Sequence, residues 1–198
     1  MKPFLLSYDY RCPFAKNIHL HVIDALRAGA DFDVTFVPWT MSQGYRNEGA
    51  PDVWDDPERD PELLSLAVST SVHDLVPERF LDVHEALFRA RHERAIRLVT
   101  ESEVANALEG LDLDLTVIFE DVASRRPHKV IGEWFREFER YDTFGVPTFV
   151  VDGDATFVRY MNPPTGDPRA SIALIESLVT LMSDQSALNE FKHTQVAL

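Results

Sequence analysis

At 198 residues the chain exceeds the roughly 150 residues of an average domain by about a third, which favours one domain carrying an insertion over two complete domains. Apolar residues make up 45% of it and charged residues 26%, a composition that can bury a core and excludes a disordered chain. The 19 Lys and Arg against 33 Asp and Glu leave a net charge of −14, which argues against nucleic acid and anionic membrane surfaces as partners.

The first forty residues read as strand, helix, strand. Pro3 to Tyr8 is a short apolar run suited to a buried strand, and Asp9 follows too early for the segment to hold a signal-peptide core. No apolar run approaches the ~18–20 residues of a transmembrane helix, so the expected location is the cytoplasm. From Pro13 to Ala28, Phe14, Ile18, Val22, Ala25 and Leu26 recur at helical spacing, with Gly29 placed to stop the helix. Val34, Phe36 and Pro38 continue a second strand, and this βαβ opening favours a parallel pair with a right-handed crossover. Residues 39–62, punctuated by Gly44, Gly49, Pro51, Pro57 and Pro61, predict a long irregular loop.

From Pro61 to about Tyr141 the pattern is helical and divides into four or five helices. Phe80, Val83 and Leu87 form one stripe, Thr100 with Glu103 a capping box, and Val130, Trp134, Phe138 and Tyr141 a second stripe. Val146 to Asp152 then reads as a strand, Asp152-Gly153-Asp154 as a turn, and Ala155 to Tyr160 as the returning arm of an antiparallel hairpin. Asp167 before Pro168 is an N-cap with Pro in the first helical position, and the helix it starts turns Ile172, Ile175, Val179 and Met182 inward. The segment from Ser183, with Leu188 and Phe191, is only weakly patterned. The expected fold class is α/β: a βαβ…ββα mixed sheet over residues 1–60 and 142–198, with an inserted all-helical subdomain at 61–141.

Cys12 is the only cysteine, so no intramolecular disulfide and no Cys-based structural zinc site can form. It lies in Tyr10-Arg11-Cys12-Pro13-Phe14-Ala15, between the first strand and the first helix. A sulfur at a helix N-terminus faces unpaired N–H groups and the positive end of the helix dipole, which favour thiolate over thiol. Pro13 leaves the amides of Phe14 and Ala15 free to point at it, Arg11 and Lys16 add positive charge and Asp9 opposes them; a partly ionised, reactive thiol is expected. The null alternative is a small buried hydrophobe. Gly145-Val146-Pro147-Thr148 sets a proline at the start of a strand that ought to be internal, where its missing N–H breaks a ladder. A cis Val146–Pro147 bond would resolve the conflict and leave the Val146 backbone open to an extended ligand.

With Cys12-Pro13-Phe14-Ala15 after the first strand and Gly145-Val146-Pro147-Thr148 before the third, the chain resembles the thioredoxin superfamily, and within it the DsbA-like branch with a helical insertion. The resemblance implies that Cys12 is the catalytic nucleophile and that Pro13, Phe14, Ala15, Val146 and Pro147 bind substrate. That family's dithiol motif has a second Cys three residues on, where Ala15 stands here. A mixed disulfide on Cys12 must then be resolved by an external thiol, a co-substrate of the glutathione or mycothiol kind, and no tightly bound cofactor is expected. Kappa-class glutathione transferases and 2-hydroxychromene-2-carboxylate isomerases resemble the same arrangement and use a single Ser or Cys at this helix start to position glutathione.

Three functions therefore stand side by side: a single-cysteine thiol–disulfide oxidoreductase, a transferase or isomerase in which Cys12 positions a small thiol, and a non-enzymatic binding module. The expected partner is a small thiol or a thiol/disulfide substrate, with a homodimer through the helical block also open. Lys16 and His19 share the helical face of Cys12, and both read as a solvated face. His21 reads as a partly buried, hydrogen-bonded histidine. His84 and His92 lack metal-site spacing, and no metal is expected. Trp39, Tyr45 and Trp54 either line a pocket for an apolar co-substrate or anchor their loop. Asp52, Asp55, Asp56, Glu58, Asp60 and Glu62 read as a solvated acidic surface.

Overall fold

A computed structural model describes residues 3–193 and 195; positions 1, 2, 194 and 196–198 of the expected sheet domain lie outside the described residues. The chain divides into two compact units. One comprises residues 1–8, 12–37 and 143–198, the other 9–11 and 38–142. Residues 9–11 and 38–60 thus group with the helices, whereas the sequence pattern assigns them to the sheet domain.

In the first unit, strand β1 (Phe4–Tyr8) leads through helix α1 (Pro13–Arg27) to strand β2 (Val34–Pro38). Strands β3 (Thr148–Val151) and β4 (Asp154–Phe157) and helix α7 (Pro168–Asp184) follow the insertion. The four strands form one mixed sheet in the order β2-β1-β3-β4. The antiparallel β1–β3 register aligns Phe4 with Val151 and Leu6 with Phe149, and the β3–β4 hairpin aligns Thr148 with Phe157. Asp152 and Gly153 turn that hairpin with φ of 52° and 90°, the left-handed conformation that Asp tolerates and Gly adopts freely. Both arms are shorter than the sequence pattern predicts, because the chain leaves the ladder at Pro147 and again beyond Phe157.

Helix α1 begins as expected, with Pro13 in its first turn, and ends where Gly29 takes φ of 85°. Ile18, Val22, Ile23 and Ala25 are buried on it, and the helix packs against α7, where Ile175 and Val179 are buried, and against β1, where Leu6 and Tyr8 are. Asp167 accepts the Arg169 amide at 3.0 Å and caps α7. Ile172 and Met182 are only half-buried, so the inward stripe of α7 is narrower than its apolar spacing implies. Leu188 and Phe191 are exposed and belong to no helix.

The second unit contains five helices: α2 (Asp60–Leu75), α3 (Phe80–His92), α4 (Glu101–Ala107), α5 (Leu115–Ala123) and α6 (Arg126–Glu139). Residues 39–62 are not a featureless loop, since 3₁₀ turns form at Met41–Tyr45 and Pro57–Arg59, the latter capped by Asp56. The Thr100–Glu103 capping box forms, and Phe80, Val83 and Leu87 are buried. The stripe on α6 is displaced by one position: Ile131, Phe135 and Phe138 are buried, whereas Val130, Trp134 and Tyr141 are only half-covered. Phe135 decides this, because Trp39 stacks on it at 5.2 Å and Trp54 tilts against it at 5.2 Å. Those two tryptophans are packing anchors, and Tyr45 is 75% exposed, so the three do not line a pocket together.

The acidic run is also more than a solvated face. Asp52 accepts from Gln43 at 2.6 Å, Asp60 from Arg125 at 2.8 Å and Glu62 from Arg59 at 2.8 Å; only Asp55 and Glu58 are fully exposed. His84 Nδ1 meets the Tyr10 hydroxyl at 2.7 Å and His92 Nε2–H donates to the Tyr10 carbonyl at 2.8 Å, which fixes both histidines in a protein network.

Candidate active site

Cys12 caps α1 with extended backbone, φ −91° and ψ 118°, and is partly exposed. Its side chain accepts no hydrogen bond from the first turn, so the expected pairing of sulfur with the Phe14 and Ala15 amides is not formed. The thiol instead donates to the Val146 carbonyl, with Sγ 3.1 Å from the oxygen. That bond joins the two tetrapeptides singled out in the sequence, although 134 residues separate the partners. Arg11 is committed elsewhere: its guanidinium lies on the buried Asp9 carboxylate, with Nε 2.9 Å from Oδ1, and it also donates to Ser42 at 2.8 Å.

The Val146–Pro147 peptide bond is cis. Both residues are buried, and the carbonyls of both are taken, that of Val146 by Cys12 and that of Pro147 by the Val158 amide at 3.1 Å. The Val146 carbonyl keeps a second lone pair beside the one that accepts the thiol. Thr148 fixes the exit from this bend: its amide donates to Ser7 Oγ at 2.9 Å and its hydroxyl to the Gly145 carbonyl at 2.8 Å. A Cβ on Gly145 would meet the Phe157 ring at 3.4 Å, an ordinary van der Waals contact, so bend and hairpin lie close together there.

Ser7 in β1 also anchors α1, since His19 Nε2–H donates to its carbonyl at 3.1 Å. His19 is wholly buried rather than solvated, and burial drives its pKa down to about 3, against the opposing pull of the Ser7 carbonyl. The ring is neutral and cannot serve as an anion partner for Cys12. Lys16 is half-exposed. His21 is the buried, hydrogen-bonded histidine expected, with Nδ1 2.9 Å from the Ser171 hydroxyl and Nε2 3.3 Å from the Asn162 carbonyl. Its burial lowers its pKa, a shift that the Asn162 carbonyl and Asp24 counter only in part.

Three residues beside this centre escape sequence reasoning. Asn17 is buried on α1 and donates to the carbonyls of Tyr160 at 3.0 Å and Met161 at 2.8 Å. Ser7 is a fully buried hydroxyl within an apolar strand. Arg159 lies over the Phe14 ring, 5.0 Å from its centroid, and within 6.0 Å of that of Phe157. The available signals were a polar residue on an apolar helical stripe for Asn17, and for Arg159 its being the only Lys or Arg between Tyr141 and Pro168.

Comparison with known proteins agrees with this geometry. A family profile described as a DSBA-like thioredoxin domain matches residues 5–162. The reduced DsbA1 of Neisseria meningitidis superposes with a TM-score of 0.60 at 14% identity, over 93% of this chain and 86% of that one. MdbA, a thiol-disulfide oxidoreductase of Actinomyces oris, gives 0.62 at 18% identity, over 90% of this chain and 79% of that one. The cytosolic disulfide reductase DsbM of Pseudomonas aeruginosa, solved with GSH, gives 0.62 at 18% identity, over 90% of this chain and 100% of that one. At these identities the structural likeness speaks to the fold alone. No match was found among the curated proteins. No helix among the described residues is long and apolar enough to cross a membrane.

Proposed function

Because the chain belongs to the DSBA-like thioredoxin domain family, matched over residues 5–162, we propose that it is a cytoplasmic thiol–disulfide oxidoreductase acting through Cys12, with an external small thiol as resolving partner. The observation that carries this reading is the hydrogen bond from Cys12 Sγ to the Val146 carbonyl, which holds a partly exposed sulfur against the Pro147 bend. DsbM, a cytosolic disulfide reductase solved with GSH, shares the fold and supports a thiol of the glutathione or mycothiol kind.

In the reaction, Cys12 gives up its proton and its bond to Val146, and the thiolate is favoured by the amides and dipole at the start of α1. It attacks one sulfur of a disulfide R–S–S–R′. The Cys12–S–S–R bond forms as the original bond breaks, and R′ leaves as a thiolate that takes up a proton. With Ala15 in place of a second thiol, a small-molecule thiolate G–S⁻ attacks the sulfur of R, Cys12 departs as thiolate, and R–S–S–G is released. A second small thiol converts R–S–S–G to R–SH and G–S–S–G, so both electrons come from the two external thiols and no tightly bound cofactor is required. Phe14 and the Val146–Pro147 bend flank the reacting sulfur.

Incubation with oxidised glutathione, followed by intact-mass measurement, tests this. One glutathionyl group should add to the wild type, none to Cys12→Ser, and reduced glutathione should discharge the adduct. An adduct that never forms, or that reduced glutathione leaves in place, overturns the exchange reaction. In a second reading, compatible with the same Cys12–Val146 bond, Cys12 positions a bound small thiol for transfer or isomerisation without exchanging with it. Binding of reduced glutathione without adduct formation selects that reading.

A further inference from the structure

Arg159 follows Val158, whose amide is bonded to the Pro147 carbonyl, so it enters the site from the same bend that faces Cys12. Its guanidinium rests on Phe14, two residues beyond the sulfur in the first turn of α1, and reaches the ring of Phe157. Phe157 in turn packs at 5.1 Å against Phe144, which is 74% exposed beside the same bend. Phe14 and Phe157 thus carry one cation between them.

The backbone around that cation is clamped on both sides. The Val158 amide is tied to Pro147, the Tyr160 and Met161 carbonyls to Asn17, and the Asn162 carbonyl to His21. Bonds on both sides of position 159 fix the backbone from which the Arg159 side chain projects. Among the described residues its guanidinium nonetheless makes no ion pair and no hydrogen bond, only the two ring contacts. Arg11, Arg59, Arg89 and Arg126, by contrast, each sit on a carboxylate. Arg159 is thus left without an anion among the described residues of a chain whose net charge is −14.

We propose that Arg159 receives a carboxylate of the thiol or disulfide bound at Cys12, and so selects low-molecular-weight thiols that carry a carboxylate, of which glutathione is the type. The inference rests on the exchange reaction assigned to Cys12 and adds the chemical class of its small-thiol partner. The ring contacts leave the guanidinium N–H donors, which lie in a planar fork, without a hydrogen-bond acceptor among the described residues, so a carboxylate can meet them in the plane. Both carboxylates of glutathione lie several bonds from its sulfur, so a cation resting on Phe14, two residues beyond Cys12, suits it better than one against the sulfur. The overall negative charge repels such a ligand, and a fixed local cation offsets that repulsion.

Rates of mixed-disulfide formation at Cys12 are compared for oxidised glutathione and for neutral bis(2-hydroxyethyl) disulfide. In Arg159→Gln the ratio of the two rates should fall about tenfold, the scale of one charge-assisted hydrogen bond, and in Arg159→Glu further still. Added salt should shrink the difference. An unchanged ratio in both variants overturns the assignment while exchange at Cys12 stands. Calorimetric binding of S-methylglutathione, which cannot exchange, separates the two ideas. Wild-type binding that weakens about tenfold in Arg159→Gln supports the subsite even if Cys12 proves unreactive, and equal binding, or none, overturns it.

Discussion

Acid titration of His19 measures how completely α1 seals against β1. The imidazole is fully buried, with its centroid 5.5 Å from that of Tyr8 and 5.7 Å from that of Phe36, and its Nε2–H is bonded to the Ser7 carbonyl. Its pKa falls from 6.5 to about 3 because the charged ring would lose its hydration. Above pH 6.5 the ring is neutral whether the chain is folded or not, and pH has no leverage through it. Between 6.5 and about 3 only the unfolded chain takes up the proton, so acid erodes stability at a slope approaching ~1.4 kcal/mol per pH unit. From pH 7 to pH 5 the loss comes to about 2 kcal/mol. Burial lowers the pKa of His21 and His128 as well, and both act in the same sense. The informative quantity is therefore the stability of the wild type minus that of His19→Gln, followed by urea unfolding at pH 7, 6 and 5. That difference should narrow by about 2 kcal/mol toward pH 5. Parallel profiles for the two proteins would refute the reasoning, since they would mean that water reaches the ring in the folded state.

Two further outcomes are expected. A Cβ at position 132 in α6 would lie 2.8 to 2.9 Å from the Trp54 indole, which is 3% exposed and backed by Phe135. Gly132→Ala should therefore lower stability, because overpacking of about 1–3 kcal/mol exceeds the ~1 kcal/mol that alanine adds to a helix; a raised urea midpoint would contradict this. Asn17→Ala removes two hydrogen bonds to the segment carrying Arg159 and should cost about 1–3 kcal/mol. It should also speed amide exchange at Tyr160 to Asn162, and protection equal to the wild type's would show that this segment is held by other means.

Much of this was readable before any coordinates. Local rules recovered α1 from Pro13 to its glycine stop, the cap at Asp167, the Thr100–Glu103 box and the Asp-Gly turn, because each is set by residues within a few positions of one another. The two tetrapeptides that meet at Cys12 were legible because a proline in an internal strand is an anomaly that asks for an explanation. The stripe on α6 went astray because two apolar series run along that helix and share Phe138. Only the distant Trp39 and Trp54, seated on Phe135, decide between them. The same holds at the site. Nothing near Cys12 in sequence announces that its proton goes to Val146 or that Asn17 holds Tyr160, since each is a pairing across more than 130 residues. His19 was misplaced because a histidine on a helical face looks the same whether that face meets water or a strand.

The antiparallel register of β1 with β3 has a bearing on how the protein is made. During synthesis Phe4, Leu5 and Leu6 emerge from the ribosome long before Val151, Val150 and Phe149, with which they pair. The contiguous stretch 38–142 leaves the exit tunnel in between and can assemble its own helices while the opening strand waits without that neighbour. Until the second half of the sheet arrives, the Cys12 thiol has no Val146 carbonyl to meet, so that bond forms only after the chain between the two residues has been made.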